Sequence, residues 1–315
     1  MTTSAGPLAV SVGALTFRNP IVLAAGTAGY GRELDGVVDL DRLGGFVTKA
    51  VSAAPRAGAP SPRVADFEGG MINAVGLANP GVAAVRKDHL PWLASNHLGT
   101  RRLANIVGFT IDEFSTVIEQ LDGDLATQTA ALDGYELNVS CPNTKAGGLE
   151  FGADPDSLRS VVVTSRAVTR RPLFVKLSPT LSDIAGAAKI AADAGADGIT
   201  VVNTIPGLII DLERRKPALG FGTGGVSGPA ILPVGVLATW KVRTVVDLPI
   251  IGVGGVTSGT DALQYIMAGA SLVGVGTAAM RDPRQPERIV DQMSEWCRSH
   301  GVRSLDEIRG KIEWP

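Results

Sequence analysis

Cysteine is almost missing from this chain of 315 residues: there are two, Cys141 and Cys297, 156 positions apart. Cysteines so placed make neither a disulfide framework nor a metal-binding spacing. The three histidines, His89, His97 and His300, supply no metal-ligand spacing either. Long hydrophobic runs are also lacking, since no stretch reaches the roughly 18–20 apolar residues of a membrane span. The N-terminal MTTSAGPLAVSVGALTF has no basic region and no long apolar core, so no signal peptide is expected. Neither sign of charge is in excess: a net charge of −2 gives no reason to expect nucleic acid or an anionic membrane as partner. The short basic clusters ERRK (213–216) and RR (101–102 and 170–171) read as solvated surface. These absences point to a soluble protein of a reducing, cytoplasmic compartment.

Glycine is plentiful, with 39 residues, and 45% of the chain is hydrophobic, which fits a well-packed protein with many tight turns. The length allows one large domain or two ordinary ones. No linker, repeat or low-complexity segment divides it, so residues 1–315 are expected to form a single domain.

Eight short apolar runs rich in β-branched residues recur: PIVLAAG (20–26), GGFVTKAV (44–51), RLANIVG (102–108), YELNVS (135–140), LFVKLS (173–178), GITVVN (198–203), PIIGVGG (249–255) and SLVGVGT (271–277). Near-continuous apolar strands indicate a parallel sheet buried on both faces. Helical patterns lie between several of them. LSDIAGAAKIAADAG (181–195) has Ser182 as N-cap candidate and Gly195 past its end. TSGTDALQYIMAGA (257–270) has Thr257 or Ser258 as cap and Gly269 as stop. The alternation predicts an α/β fold, a (β/α)8 TIM barrel, with an open doubly wound sheet as the alternative. Two insertions, about 52–98 after strand 2 and 204–240 after strand 6, are too long for simple connections and are expected to act as lids or site walls.

In such a barrel the active site forms at the carboxyl ends of the strands. Those ends carry Ala25–Gly26, Lys49, Asn105, Asn138 with Cys141 just beyond, Lys176, Asn203–Thr204, Gly254–Gly255 and Gly276–Thr277. Lysines and asparagines are costly in apolar packing but suit a polar, partly anionic ligand. GVGGVTSGTDAL runs from a strand into a helix, an arrangement whose backbone N–H groups suit phosphate. Taken singly, the glycines could be turn formers, a lysine could be solvated and Cys141 could be a small buried hydrophobe. Jointly they favour a ligand site. GFGTGG (220–225) follows ERRKPAL rather than a strand, so it is no dinucleotide fingerprint. The sequon NVS (138–140) lies on a barrel strand and is discounted.

Taken together, these motifs resemble the class 1 dihydroorotate dehydrogenases almost end to end, from NPIVLAAGTAGYG (19–31) to AGASLVGVGTAAMRDP (268–283). The most specific elements are VTKA (47–50), NAVGLANPG (73–81), LNVSCPN (137–143), VKLSP (175–179), VVNT (201–204), GTGGVSGPAI (222–231) and GVGGVTSG (252–259). The resemblance implies a barrel with one FMN that oxidises dihydroorotate to orotate in pyrimidine biosynthesis. Cys141 would be the general base removing the C5 proton, hydride would pass from C6 to flavin N5, and Lys49 and Lys176 would assist near the flavin. Carried over by position, substrate would meet Lys49, Asn73, Val75, Gly76, Leu77, Asn138, Asn143, Asn203 and Thr204. FMN would meet Ala25, Lys49, Ala50, Asn105, Asn138, Lys176, Val202, Gly228, Gly254, Gly255, Gly276 and Thr277.

A cysteine at the base position separates the chain from class 2, which uses serine. The segment DLERRKPALGFGTGGVSGPAI (211–231) is similar to class 1B, whose catalytic subunit, a homodimer, works with a partner carrying FAD and an iron–sulfur cluster and delivering electrons to NAD. Two cysteines cannot hold a four-cysteine cluster, so such a cluster would sit on the partner. There are departures: Ala25 stands where serine is common, Phe109 follows Gly108 where a small polar residue is usual, and the stretch between Asn105 and Asn138 is longer. Alternatives left open are a fumarate-linked, class 1A-like enzyme and an FMN oxidoreductase of another dihydropyrimidine. A flavin-free phosphate-ligand barrel and a non-catalytic binding protein are also left open.

Overall fold

A computed structural model describes residues 6–96, 99–123, 131–140 and 150–315. All eight apolar runs form parallel strands. They are β1 (Ile21–Leu23), β2 (Gly45–Val47), β3 (Arg101–Ile106), β4 (Gly134–Asn138), β5 (Leu173–Leu177), β6 (Gly198–Val201), β7 (Ile250–Val253) and β8 (Leu272–Val275). Strand β8 pairs with β1 through Val273↔Ile21 and Val275↔Leu23, which closes the barrel and removes the open sheet as an alternative. Their residues are buried almost throughout, as expected for strands covered by side chains inside and helices outside.

The outer layer comprises α1 (Ile111–Asp122), α2 (Pro155–Val168), α3 (Ile184–Asp193), α4 (Leu232–Arg243), α5 (Gly259–Met267) and α6 (Gln285–Ser299). Their caps show why they start and stop there. Ser258 and Asp261 form a reciprocal capping box at the start of α5. Helix α3 is capped by Asp183, which accepts from Gly186 N at 2.8 Å, and not by Ser182. Both residues are competent caps, and the carboxylate one position later has the reach to the free amide. Gly195 (φ 103°) and Gly269 (φ 112°) follow α3 and α5 in the left-handed region, where a side chain would be strained.

A hairpin of Val10–Val12 and Leu15–Phe17 closes the amino end of the barrel. Thr16 accepts from Arg101 Nε at 2.9 Å there, and Phe17 is buried beside Gly45. The other end is covered by the insertions. Strands Val64–Phe67 and Gly70–Asn73 come from the first insertion, and Ile205–Gly207 and Gly224–Ser227 from the second. They join into one antiparallel four-stranded sheet. Its central pairing, Asn73↔Gly225, joins residues 152 positions apart. The stretch GFGTGG therefore ends in a sheet strand: Gly224 and Gly225 belong to it, and Gly220 N donates to Pro62 O at 2.8 Å.

Candidate active site

The carboxyl ends of the strands and the insertion sheet enclose a cavity of about 450 Å³, within the range of small-molecule and cofactor sites. Strand β1 leads to Ala25 and Gly26, β2 to Lys49 and Ala50, β3 to Asn105 and β4 to Asn138, all of which line it. Lys176 enters from β5, in register with Asn138. Val202, Asn203 and Thr204 follow β6, Gly254 and Gly255 follow β7, and Gly276 and Thr277 follow β8. The insertion sheet contributes Asn73 and Gly228 to the wall, and the turn beyond Asn73 adds Val75 and Leu77.

Lys176 is only 7% exposed, and no hydrogen bond or ion pair to its ammonium is found among the described residues. Lys176 opens onto the cavity, and a fixed positive charge there suits an electron-rich ligand. No aspartate or glutamate lines the cavity among the described residues. The amides are partly fixed by one another. Asn203 Nδ2 donates to Asn138 Oδ1 at 3.4 Å, Asn203 Oδ1 accepts from Thr204 N at 2.8 Å, and Asn73 Nδ2 donates to Gly225 O at 3.3 Å.

The backbone around the cavity is braced from behind by two tyrosines. Tyr265 donates to Gly254 O at 2.7 Å and Tyr30 donates to Ala50 O at 2.9 Å. Burial pushes both hydroxyls well above the ordinary tyrosine range, with the nearby Asp261 and Glu33 charges adding to it. They stay neutral donors. Gly254 and Gly255 have φ 132° and 74°, and a Cβ on Gly255 would come within 2.5 Å of Leu232 N, so both turns require glycine. At Gly276 a Cβ would meet only Ala24 and Thr27, at 3.7 and 3.8 Å, and would otherwise project into free space.

This donor set fits a flavin mononucleotide. Glycine turns and the first-turn amides of the helix Thr277–Arg281 suit a phosphate. The two lysines suit the edge of a ring that gathers negative charge on reduction, and the asparagines suit its imide groups.

Of the residues expected from sequence, Gly76 does not line the cavity. Its φ is 69°, and a Cβ there would meet Ala59 N at 2.4 Å, so it turns the chain to present Val75 and Leu77 on either side. Cys141 and Asn143 lie outside the described residues. Met71, Ser227 and Met280, not expected at the site from sequence, also line the cavity, as does Thr257, expected only as a helix cap. Met71 and Ser227 arrive through the insertion sheet, whose pairing has no local signal.

Such an arrangement defines a (β/α)8 enzyme with its ligand site at the carboxyl face of the barrel. The family model for dihydroorotate dehydrogenase matches residues 7–296, and the chain belongs to that family. It is 45% identical over 306 residues to a protein named dihydroorotate dehydrogenase B (NAD(+)), catalytic subunit, from Trichlorobacter lovleyi, covering 97% of this chain and 98% of that one. A protein of the same name from Pelobacter propionicus is 44% identical with the same coverage. The fold superposes on that of a solved dihydroorotate dehydrogenase from Eimeria tenella with TM-score 0.81 at 24% identity, over 98% of this chain and 90% of that one. No helix among the described residues is long and apolar enough to cross a membrane.

Proposed function

We propose that this chain is the catalytic subunit of an NAD-linked dihydroorotate dehydrogenase, oxidising dihydroorotate to orotate in pyrimidine biosynthesis. The observation that carries this reading is Lys176, set beside Asn138 in a cavity where, among the described residues, its ammonium has no partner and no carboxylate lines the wall. Bound FMN would supply the hydride acceptor. Everything else falls to the residues of the chain.

Asn73, Asn138, Asn143 and Asn203 would hold a ring bearing carbonyls, N–H groups and a carboxylate, with Thr204 and the turn at 75–77 closing around it. Cys141, three residues past Asn138, would remove the C5 proton as thiolate. An ordinary thiol titrates near ~8.5, so a modest depression makes that form available at neutral pH. Lys49 and Lys176 would stabilise negative charge as it develops near them. The insertion sheet would exclude water from the reacting atoms, which strengthens each of these interactions.

The names of the relatives support a second polypeptide. We assign FAD and an iron–sulfur cluster to that partner, a homodimer to this chain, and the cytoplasm as the compartment. Reconstitution tests the electron route. The chain with its partner should reduce NAD, whereas fumarate reduction by the chain alone would move it to the class 1A-like alternative.

A further inference from the structure

Glu136 lies in the middle of β4 and is 1% exposed. It pairs in register with Asn105 on β3 and Phe174 on β5. Neighbouring strands are ~4.8 Å apart, so inward side chains at one level meet directly. They do: Asn105 Nδ2 donates to Glu136 Oε1 at 2.8 Å, and both residues are 1% exposed. Asn105 also lines the cavity, and Glu136 does not. The carboxylate is therefore placed one layer below the ligand site, and among the described residues its hydrogen bond to the site is to this amide.

That contact settles which way the amide faces. An ionised carboxylate only accepts, while an asparagine amide has one accepting and one donating end. With the NH2 end engaged by Glu136, the oxygen is the end left for the cavity. The backbone of Asn105 is fixed as well, its N–H donating to Thr48 Oγ1 at 3.2 Å. Nothing else described at this level engages the Asn105 amide.

We propose that Glu136 is a positioning residue: it locks Asn105 so that an acceptor oxygen, and not an amide NH2, faces the bound cofactor and selects an N–H edge of its ring. This rests on reading the cavity as a flavin site. Glutamine at position 136 keeps the shape but can offer either end of its own amide, which frees Asn105 to turn over. An NH2 facing a ring N–H loses the hydrogen bond and opposes donor to donor.

The test is FMN binding to the apo chain, followed by quenching of flavin fluorescence, for wild type, Glu136→Gln, Asn105→Ala and the double variant. Glu136→Gln should weaken FMN by roughly tenfold or more, the scale of one charge-assisted hydrogen bond. In the Asn105→Ala background the same change should add less than about twofold, because the effect runs through that amide. Thermal unfolding of the apo proteins separates this from a purely structural role. A Glu136→Gln protein that melts lower yet binds FMN like wild type overturns the proposal, and so do additive losses in the double variant. Wild type that takes up no FMN overturns the flavin reading itself, a result distinct from both.

Discussion

Thr277 Oγ1 donates to Ser227 Oγ at 2.8 Å, and that one bond ties the end of barrel strand β8 to the sheet built by the two insertions. Ser227 continues the link to Met71 O at 3.4 Å, and Arg281 reaches Gly70 O at 2.9 Å from the same helix. The proposed phosphate end and the wall over the cavity are thus one connected unit. Replacing Thr277 by valine keeps the shape and removes the donor. We expect apo stability to fall by about 1 kcal/mol and FMN to leave several-fold faster, read from the fluorescence of released flavin. Unchanged release would show that the link does not serve cofactor retention.

Lys176 should separate stability from binding. Lys176→Met preserves length while removing a cavity-facing ammonium that has no partner among the described residues. The apo protein should melt at about the same temperature, since no hydrogen bond or ion pair among the described residues is lost. FMN affinity or the rate of flavin reduction should drop by about tenfold or more. A variant with wild-type affinity and reduction would remove the lysine from its assigned role.

Cys141→Ser should retain FMN and orotate yet slow flavin reduction by orders of magnitude near neutral pH, because a hydroxyl is a far weaker acid than a thiol. The residual rate should climb as pH rises from 6 to 10 in rapid-mixing experiments. Wild-type kinetics in this variant would show that another group takes the proton.

Alkaline stability offers a check on the packing. Burial, with the Asp122 charge beside it, raises the Tyr135 hydroxyl well above its ordinary range, while it donates to Asp122 at 2.7 Å. In the unfolded chain the same hydroxyl ionises near ~10. Above that pH the folded state binds more protons than the unfolded one, so stability falls as pH rises. Tyr135→Phe should flatten the fall by up to ~1.4 kcal/mol per pH unit. Equal slopes for the two proteins between pH 10 and 11.5 would refute the assignment.

Much of the architecture was legible because each barrel strand carries its own local signal: a short β-branched run ending in glycine, asparagine or lysine. Closure was expected from the count of eight strands but had no local signal, because pairing of β8 with β1 joins residues about 250 positions apart and leaves no periodicity. The insertion sheet was hidden for the same reason. Its strands are short and, apart from Gly70–Asn73, only partly buried, so 52–98 and 204–240 read as loops. The strand-end residues, Lys49, Asn105, Asn138, Lys176 and Asn203, could be named from their positions, since the fold sends strand ends to one place. Glu136 was passed over although a glutamate inside YELNV is an anomaly in an apolar strand. Asp183 displaced Ser182 as a cap because cap choice turns on reach to a particular amide.

The most direct test of the account is an anaerobic titration of the purified, FMN-loaded chain with dihydroorotate, following the visible flavin band. Stoichiometric bleaching is expected, one dihydroorotate per flavin. A protein that binds FMN and stays yellow through a large excess of dihydroorotate would contradict the proposed substrate.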